Sequence, residues 1–196
     1  MSKKALVIID VQNDFCPGGT LAVPQGDDVI KPLNKMIAYA RQHNWLIVAS
    51  RDWHPMVTNH FQEYGGLWPI HCVKDTKGAE FHSDLKVDEI TVVSKATEPD
   101  QDGYSAFNGY KDDGQTLKEF FESNDIKKVY IGGLATDYCV KASVVDAVKL
   151  GFETFLLLDV CRAVNLKPGD GEEAVKEMID LGVKVINTRE VQNEKS

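Results

Sequence analysis

The chain has 196 residues, 43% of them hydrophobic, with 30 acidic against 22 basic side chains and a formal charge of −8. That length closes one sizeable core but not two without a visible linker, so a single domain over 1–196 is expected. The acidic balance, with no basic patch, argues against nucleic acid or an anionic membrane as partner, because phosphate recognition needs clustered Lys and Arg.

The start, Met1-Ser2-Lys3-Lys4, runs into a short apolar stretch that meets Asp10 too soon for a signal sequence or a membrane span, which predicts a cytoplasmic protein. Residues 5–10 read as a first strand. A helix is expected over 32–43, where Leu33, Met36, Ile37 and Ala40 recur at helical spacing. A second strand, 45–52, ends at Asp52. Residues 53–89 carry no sustained period and are rich in His, Pro, Gly and aromatics; irregular stretches this long belong to functional loops or lids. A third strand, 90–95, ends at Lys95, and a second irregular stretch covers 96–114. A helix over 116–122, a strand over 128–132, a helix over 136–150, a strand over 153–159, a helix over 171–181 and a strand over 183–187 follow. The tail from 189 is expected to fray or form a short cap. Cys16, Cys72, Cys139 and Cys161 show no paired spacing and are expected as reduced thiols.

This alternation predicts an α/β fold: a doubly wound, Rossmann-like, parallel six-stranded sheet with helices on both faces. With strand order 3-2-1-4-5-6, the ligand crevice opens between the carboxyl ends of strands one and four. Asp10, Asp52, Lys95 and the turn from Gly132 to Cys139 all lie at carboxyl ends. Asp10, Lys95 and Cys139 then converge on one pocket.

Thr136 is the expected N-cap, which puts Cys139 at the third helical position, where free N–H groups and the helix dipole favour a thiolate. Asp10 suits the acceptance and return of a proton, and Lys95 suits holding Asp10 ionised. Gly132 and Gly133 let the backbone approach a substrate closely. A cysteine of this kind in isolation is more often a small buried helix residue; the convergence is what singles out Cys139. Four of the five histidines, His54, His60, His71 and His82, fall within the irregular segment 53–89, the first of them two residues after Asp52. Two imidazoles with a carboxylate suit Zn, Fe or Mn and leave coordination positions open. Asp52, His54 and His71 are the expected ligands, His60 is a fourth ligand or a neighbour bonded to one, and His82 is structural or exposed. Phe15, Trp68, Tyr104 and Phe107 are expected to wall a flat apolar slot for a small ring.

Several motifs together carry a resemblance. They are Asp10-Val11-Gln12-Asn13-Asp14-Phe15, Asp52-Trp53-His54-Pro55 with His60, Trp68-Pro69-Ile70-His71-Cys72, Lys95, and Gly132-Gly133-Leu134-Ala135-Thr136-Asp137-Tyr138-Cys139-Val140. On these residues, over 5–187, the chain resembles the nicotinamidase/pyrazinamidase branch of the isochorismatase-like cysteine hydrolases. Ile70 stands where some relatives have proline. The resemblance implies a triad of Cys139 as nucleophile, Asp10 as general base and acid, and Lys95 as its electrostatic partner. It implies one divalent metal, Zn as first choice with Fe or Mn as alternatives, on Asp52, His54 and His71, with His60 ligating in some members. It also implies a cis peptide between Leu134 and Ala135, an oxyanion hole from the N–H groups of Ala135 and Cys139, and Phe15 and Trp68 around a pyridine ring, with Tyr104 and Leu134 counted as substrate-binding. The implied reaction converts nicotinamide or pyrazinamide to the acid and ammonia through a cysteine thioester, returning nicotinamide to NAD synthesis. The partner is then a small amide, with a homo-oligomer left open.

Two rival readings are weaker. A metal-independent amidohydrolase acting on a carbamoyl or ureido compound has no use for Asp52, His54 and His71 together. A flavodoxin-like binding module needs room for phosphate after strand one, where this chain is acidic.

Overall fold

The computed structural model describes residues 3–101 and 103–193. Six parallel strands, β1 (Lys3–Ile9), β2 (Leu46–Asp52), β3 (Thr91–Lys95), β4 (Ile126–Leu134), β5 (Glu153–Arg162) and β6 (Lys184–Ile186), form a sheet in the order β3-β2-β1-β4-β5-β6. This is the expected doubly wound order, with its switch point between β1 and β4.

The central strand shows why the sequence reads as it does. Ala5 to Ile9 are all fully buried, with Leu6 and Ile8 in one core layer and Ala5, Val7 and Ile9 in the other. A strand covered on both faces must be apolar throughout and cannot alternate. The first layer is closed by α1 (Ile30–Gln42) through Leu33, Met36, Ile37 and Ala40, and by α5 (Thr188–Asn193) through Val191. The second is closed by α2 (Leu117–Ser123), α3 (Lys141–Lys149) and α4 (Asp170–Asp180) through Leu117, Phe121, Val144, Ala147 and Met178. Each large apolar side chain so buried contributes about 1.5–3 kcal/mol before the entropy of ordering is subtracted.

Three departures from expectation have local causes. The fourth strand runs two residues past Gly132 because Gly133, at φ +132°, passes so close to β1 that a Cβ there would lie 2.1 Å from the Ile9 carbonyl oxygen. The glycines mark a close approach and not a turn. The tail forms α5, anchored by the Thr188 N–H and hydroxyl, which donate to Asp159 at 2.8 and 2.6 Å; Glu194, Lys195 and Ser196 lie outside the described residues. The irregular stretch after β3 folds back on it, so that Ser94 and Tyr110 exchange backbone hydrogen bonds of 2.9 and 3.0 Å along the free edge of the sheet. No helix among the described residues is long and apolar enough to cross a membrane, and all four cysteines are free thiols.

Candidate active site

The carboxyl ends of β1, β2, β3 and β4 deliver the polar residues to one crevice. Asp10 follows β1 in a left-handed conformation, φ 48°, which breaks the strand and turns the chain at the point where its carboxylate is needed. Lys95, the last residue of β3, is fully buried, with its Nζ 2.8 Å from Asp10 Oδ2 and 3.5 Å from Cys139 Sγ. It also donates to the Gly103 carbonyl at 2.9 Å and, through a short hydrogen bond, to Asp52 Oδ1. The Ser50 hydroxyl donates to Asp10 Oδ1 at 2.7 Å. Pairing of Lys95 with Asp10 is the expected one; its second pairing, with Asp52, joins the two constellations. The signal for it is register, since Asp52 and Lys95 are direct partners across β2 and β3.

Burial and charge set the protonation states. Desolvation raises the Asp10 carboxyl to about 6, with Lys95 pulling it down and Asp52 adding to the rise. For Asp52, burial also pushes upward, but Lys95 and the imidazoles of His54 and His71 outweigh it and hold the carboxyl well below the usual range. Burial opposes the charge on Lys95, and its two carboxylates more than offset that, keeping it firmly protonated. The thiol of Cys139 departs from expectation: burial pushes it well above the usual range, Lys95 opposes this, and Asp10 and Asp52 reinforce it. The helix start also differs. Ala135 and not Thr136 is the N-cap, and Thr136–Val140 form a single π-helical turn ahead of α3, with Cys139 fourth in that turn. The Leu134–Ala135 peptide bond is cis.

Beside this group the imidazoles of His54, His60 and His71 each bring a ring nitrogen to within 4.8 Å of the others. Asp52 Oδ2 lies 3.8 Å from His54 Nε2 and 3.9 Å from His71 Nε2. His71 Nδ1 is 2.8 Å from the Pro69 carbonyl, which makes it the protonated nitrogen and turns the lone pair of Nε2 toward Asp52 and His54. Burial lowers His60 to about 4 and also lowers His71, keeping both neutral, as metal ligands must be. Among the described residues, neither nitrogen of fully buried His54 has a hydrogen-bond partner. A buried polar atom left so is costly, and a cation is the partner this donor set suits. The residues present therefore fit a divalent metal ion. His82 is partly exposed, its Nδ1 accepting from the Asp84 N–H at 3.2 Å.

A cavity of about 30 Å³ sits over Cys139, walled by Phe15, Trp68, Tyr104 and Tyr138, with Asp52, His60, His71 and Ala135 among its other lining residues. Trp68 Nε1 donates to the Tyr104 hydroxyl at 2.9 Å, and the rings of Trp68 and Tyr138 meet nearly perpendicular with centroids 4.8 Å apart. Three of the four expected aromatics are thus in place. Phe107 is not: it stacks on Phe152 at 5.8 Å in the second core layer. Leu134 does not line the cavity either, because its side chain is fully buried in the first core layer. Leu21, Val23, Tyr138 and Val164 line it without having been expected. For Tyr138 its place next to Cys139 is a usable signal; the others lie in loops without period.

A family model, the isochorismatase domain, matches residues 4–190. The chain belongs to the isochorismatase family. Within that family it is 37% identical over 200 residues to the nicotinamidase of Escherichia coli K12, covering 93% of each chain. Its fold is similar to the crystal structure of the pyrazinamidase of Pyrococcus horikoshii in complex with zinc, at 46% identity and a TM-score of 0.86 over 94% of this chain and 99% of that one. It is also similar to PnC1 from L. infantum in complex with nicotinate, at 34% identity and a TM-score of 0.85 over 96% and 94%.

Proposed function

We propose that this chain is a single-domain cytoplasmic amidohydrolase that converts nicotinamide, and pyrazinamide, to the corresponding acid and ammonia, returning nicotinamide to NAD synthesis. The observation that carries the reading is the meeting of Asp10 and Cys139 at the buried Lys95 ammonium, beside Asp52, His54, His60 and His71, a donor set that suits a metal ion, and under an aromatic slot.

The neutral thiol of Cys139 gives its proton to ionised Asp10 as sulfur attacks the carboxamide carbon. The backbone N–H groups of Ala135 and Cys139 receive the oxyanion. Asp10 then returns the proton to the nitrogen, the C–N bond breaks, and ammonia leaves a thioester on Cys139. Asp10, ionised again, takes a proton from an incoming water that adds to the thioester, and the acid and the thiol are released. Lys95 keeps enough positive charge beside Asp10 for its carboxyl to ionise near neutrality. Phe15 and Trp68 hold the ring, with Tyr104 fixing Trp68 through its hydroxyl. Asp52, His54 and His71, with His60 in reach, would hold a divalent ion, which would supply Lewis acidity to orient the substrate ring; zinc is the first choice and iron or manganese suit the same donors.

Ammonia release from nicotinamide by the purified protein tests the reading, and its absence ends it. Benzamide has the same ring and carboxamide but no ring nitrogen. A site built around a polar contact rejects the analogue lacking it, so kcat/KM for nicotinamide is expected to exceed that for benzamide by at least ~10²-fold. Equal values leave the anchor without a role. Metal analysis is expected to find about one divalent ion per chain. His54→Ala and His71→Ala should lose that ion together with most activity, and His60→Ala should lose less. Full turnover by protein shown to be metal-free would remove the metal from the reaction.

A further inference from the structure

Gln12 is fully buried in the turn after β1, and the reaction above gives it no task. Its side-chain amide is committed at both ends. Oε1 accepts from the Asp52 N–H at 2.8 Å, while Nε2 donates to the Asp52 carbonyl and to the Ala79 carbonyl, each at 2.8 Å. A primary amide bound to both the N–H and the C=O of one residue imitates a neighbouring strand. It does so beyond the end of β1, where the left-handed Asp10 has carried the main chain away from β2. At Asp52 the clamp engages only the backbone, and the bond to Ala79 ties it to the loop before β3. The Asp52 carboxylate stays free to face Lys95 through Oδ1 and His54 and His71 through Oδ2.

We propose that Gln12 is a positioning residue for the metal site, holding Asp52 so that its carboxylate meets His54 and His71 at the separation a divalent ion requires. This rests on the reading of Asp52, His54 and His71 as metal ligands. Gln12 touches neither ion nor substrate and acts only through Asp52. Partners that orient ligands in this way typically govern 10–100-fold in metal affinity.

Co²⁺ is the probe, added to metal-stripped full-length protein, with affinity measured by chelator competition and ligand geometry by visible absorption. Gln12→Met removes all three hydrogen bonds at similar volume. Gln12→Asn keeps the amide but draws it back by one methylene, roughly 1.5 Å, out of reach of 2.8 Å contacts. Both are expected to bind Co²⁺ about 10–100-fold more weakly, with an altered spectrum. Asn34→Ala is the control, because Asn34 makes a comparable double bond to a loop away from the site, with the Asp84 carbonyl and the Lys86 N–H at 2.8 and 2.9 Å. It should leave affinity and spectrum unchanged. Folded Gln12→Asn protein with wild-type Co²⁺ affinity and spectrum overturns the proposal. Wild-type protein that fails to bind Co²⁺ overturns the metal-site reading beneath it.

Discussion

Cys139→Ala is expected to lower kcat for ammonia release by ~10⁴–10⁶, the range for a nucleophile removed from a catalytic group that acts as a unit. The fold should survive. Cys139 is 6% exposed and its sulfur faces the cavity and the Lys95 ammonium. The substitution removes one atom and costs about 1 kcal/mol, or about 2–4 °C in Tm for a chain of this size. The two measurements separate the roles: a thermal melt close to wild type alongside absent turnover identifies the nucleophile. Ammonia release near the wild-type rate would sink the thioester route.

Lys95→Met is expected to damage both stability and chemistry. It leaves the carboxylates of Asp10 and Asp52 buried without their shared cation, and breaking a buried ion pair from one side costs about 3–5 kcal/mol. The variant relieves this by protonating Asp10. In the wild type Asp10 titrates near 6, above the usual carboxyl value of 3.8, so the folded state binds more protons than the unfolded state between those values. Stability on its account falls as pH rises through that window. Removing Lys95 takes away the influence that lowers Asp10, which moves its titration upward and extends the window toward alkaline pH. Melts at pH 5 and pH 8 should show the larger deficit at pH 8. The acid limb of kcat/KM, which needs Asp10 ionised, should lie near pH 6 in the wild type and higher in the variant, with a lowered plateau. A deficit independent of pH together with an unmoved limb would remove Lys95 as the counter-ion of Asp10.

How far these residues could be read from the chain depended on whether the deciding force was local. A strand buried on both faces, such as β1, is apolar throughout, and the charged Asp10 marks its end; Asp52 and Lys95 are legible as the charged residues that close the apolar runs of β2 and β3. The start of the helix after β4 did not. Thr136 and Asp137 look like capping residues, but Ala135 holds the cap, and the Asp137 carboxylate instead accepts the N–H groups of Val164 and Asn165 at 2.9 and 2.8 Å. The state of the Cys139 thiol was misjudged for a related reason: a helix terminus is a local feature, whereas the burial that outweighs it comes from the whole crevice. The bond from Lys95 to Asp52 depends on strand register, which no residue type reveals. Phe107 and Leu134 are aromatic and apolar in the right neighbourhood, yet which way each points is fixed by tertiary packing.

The position of β3 gives the site a particular vulnerability. It is five residues long, stands at the rim of the sheet, and supplies the ammonium on which both carboxylates depend. Rim strands are the first to open locally, long before a central sheet yields. Here the outer edge is fastened by the two backbone bonds between Ser94 and Tyr110, which also deny that edge to a strand from another molecule. Fraying at this single margin would withdraw Lys95 from Asp10 while β1, β2 and β4 stay paired, so activity is expected to fail on heating before the sheet melts.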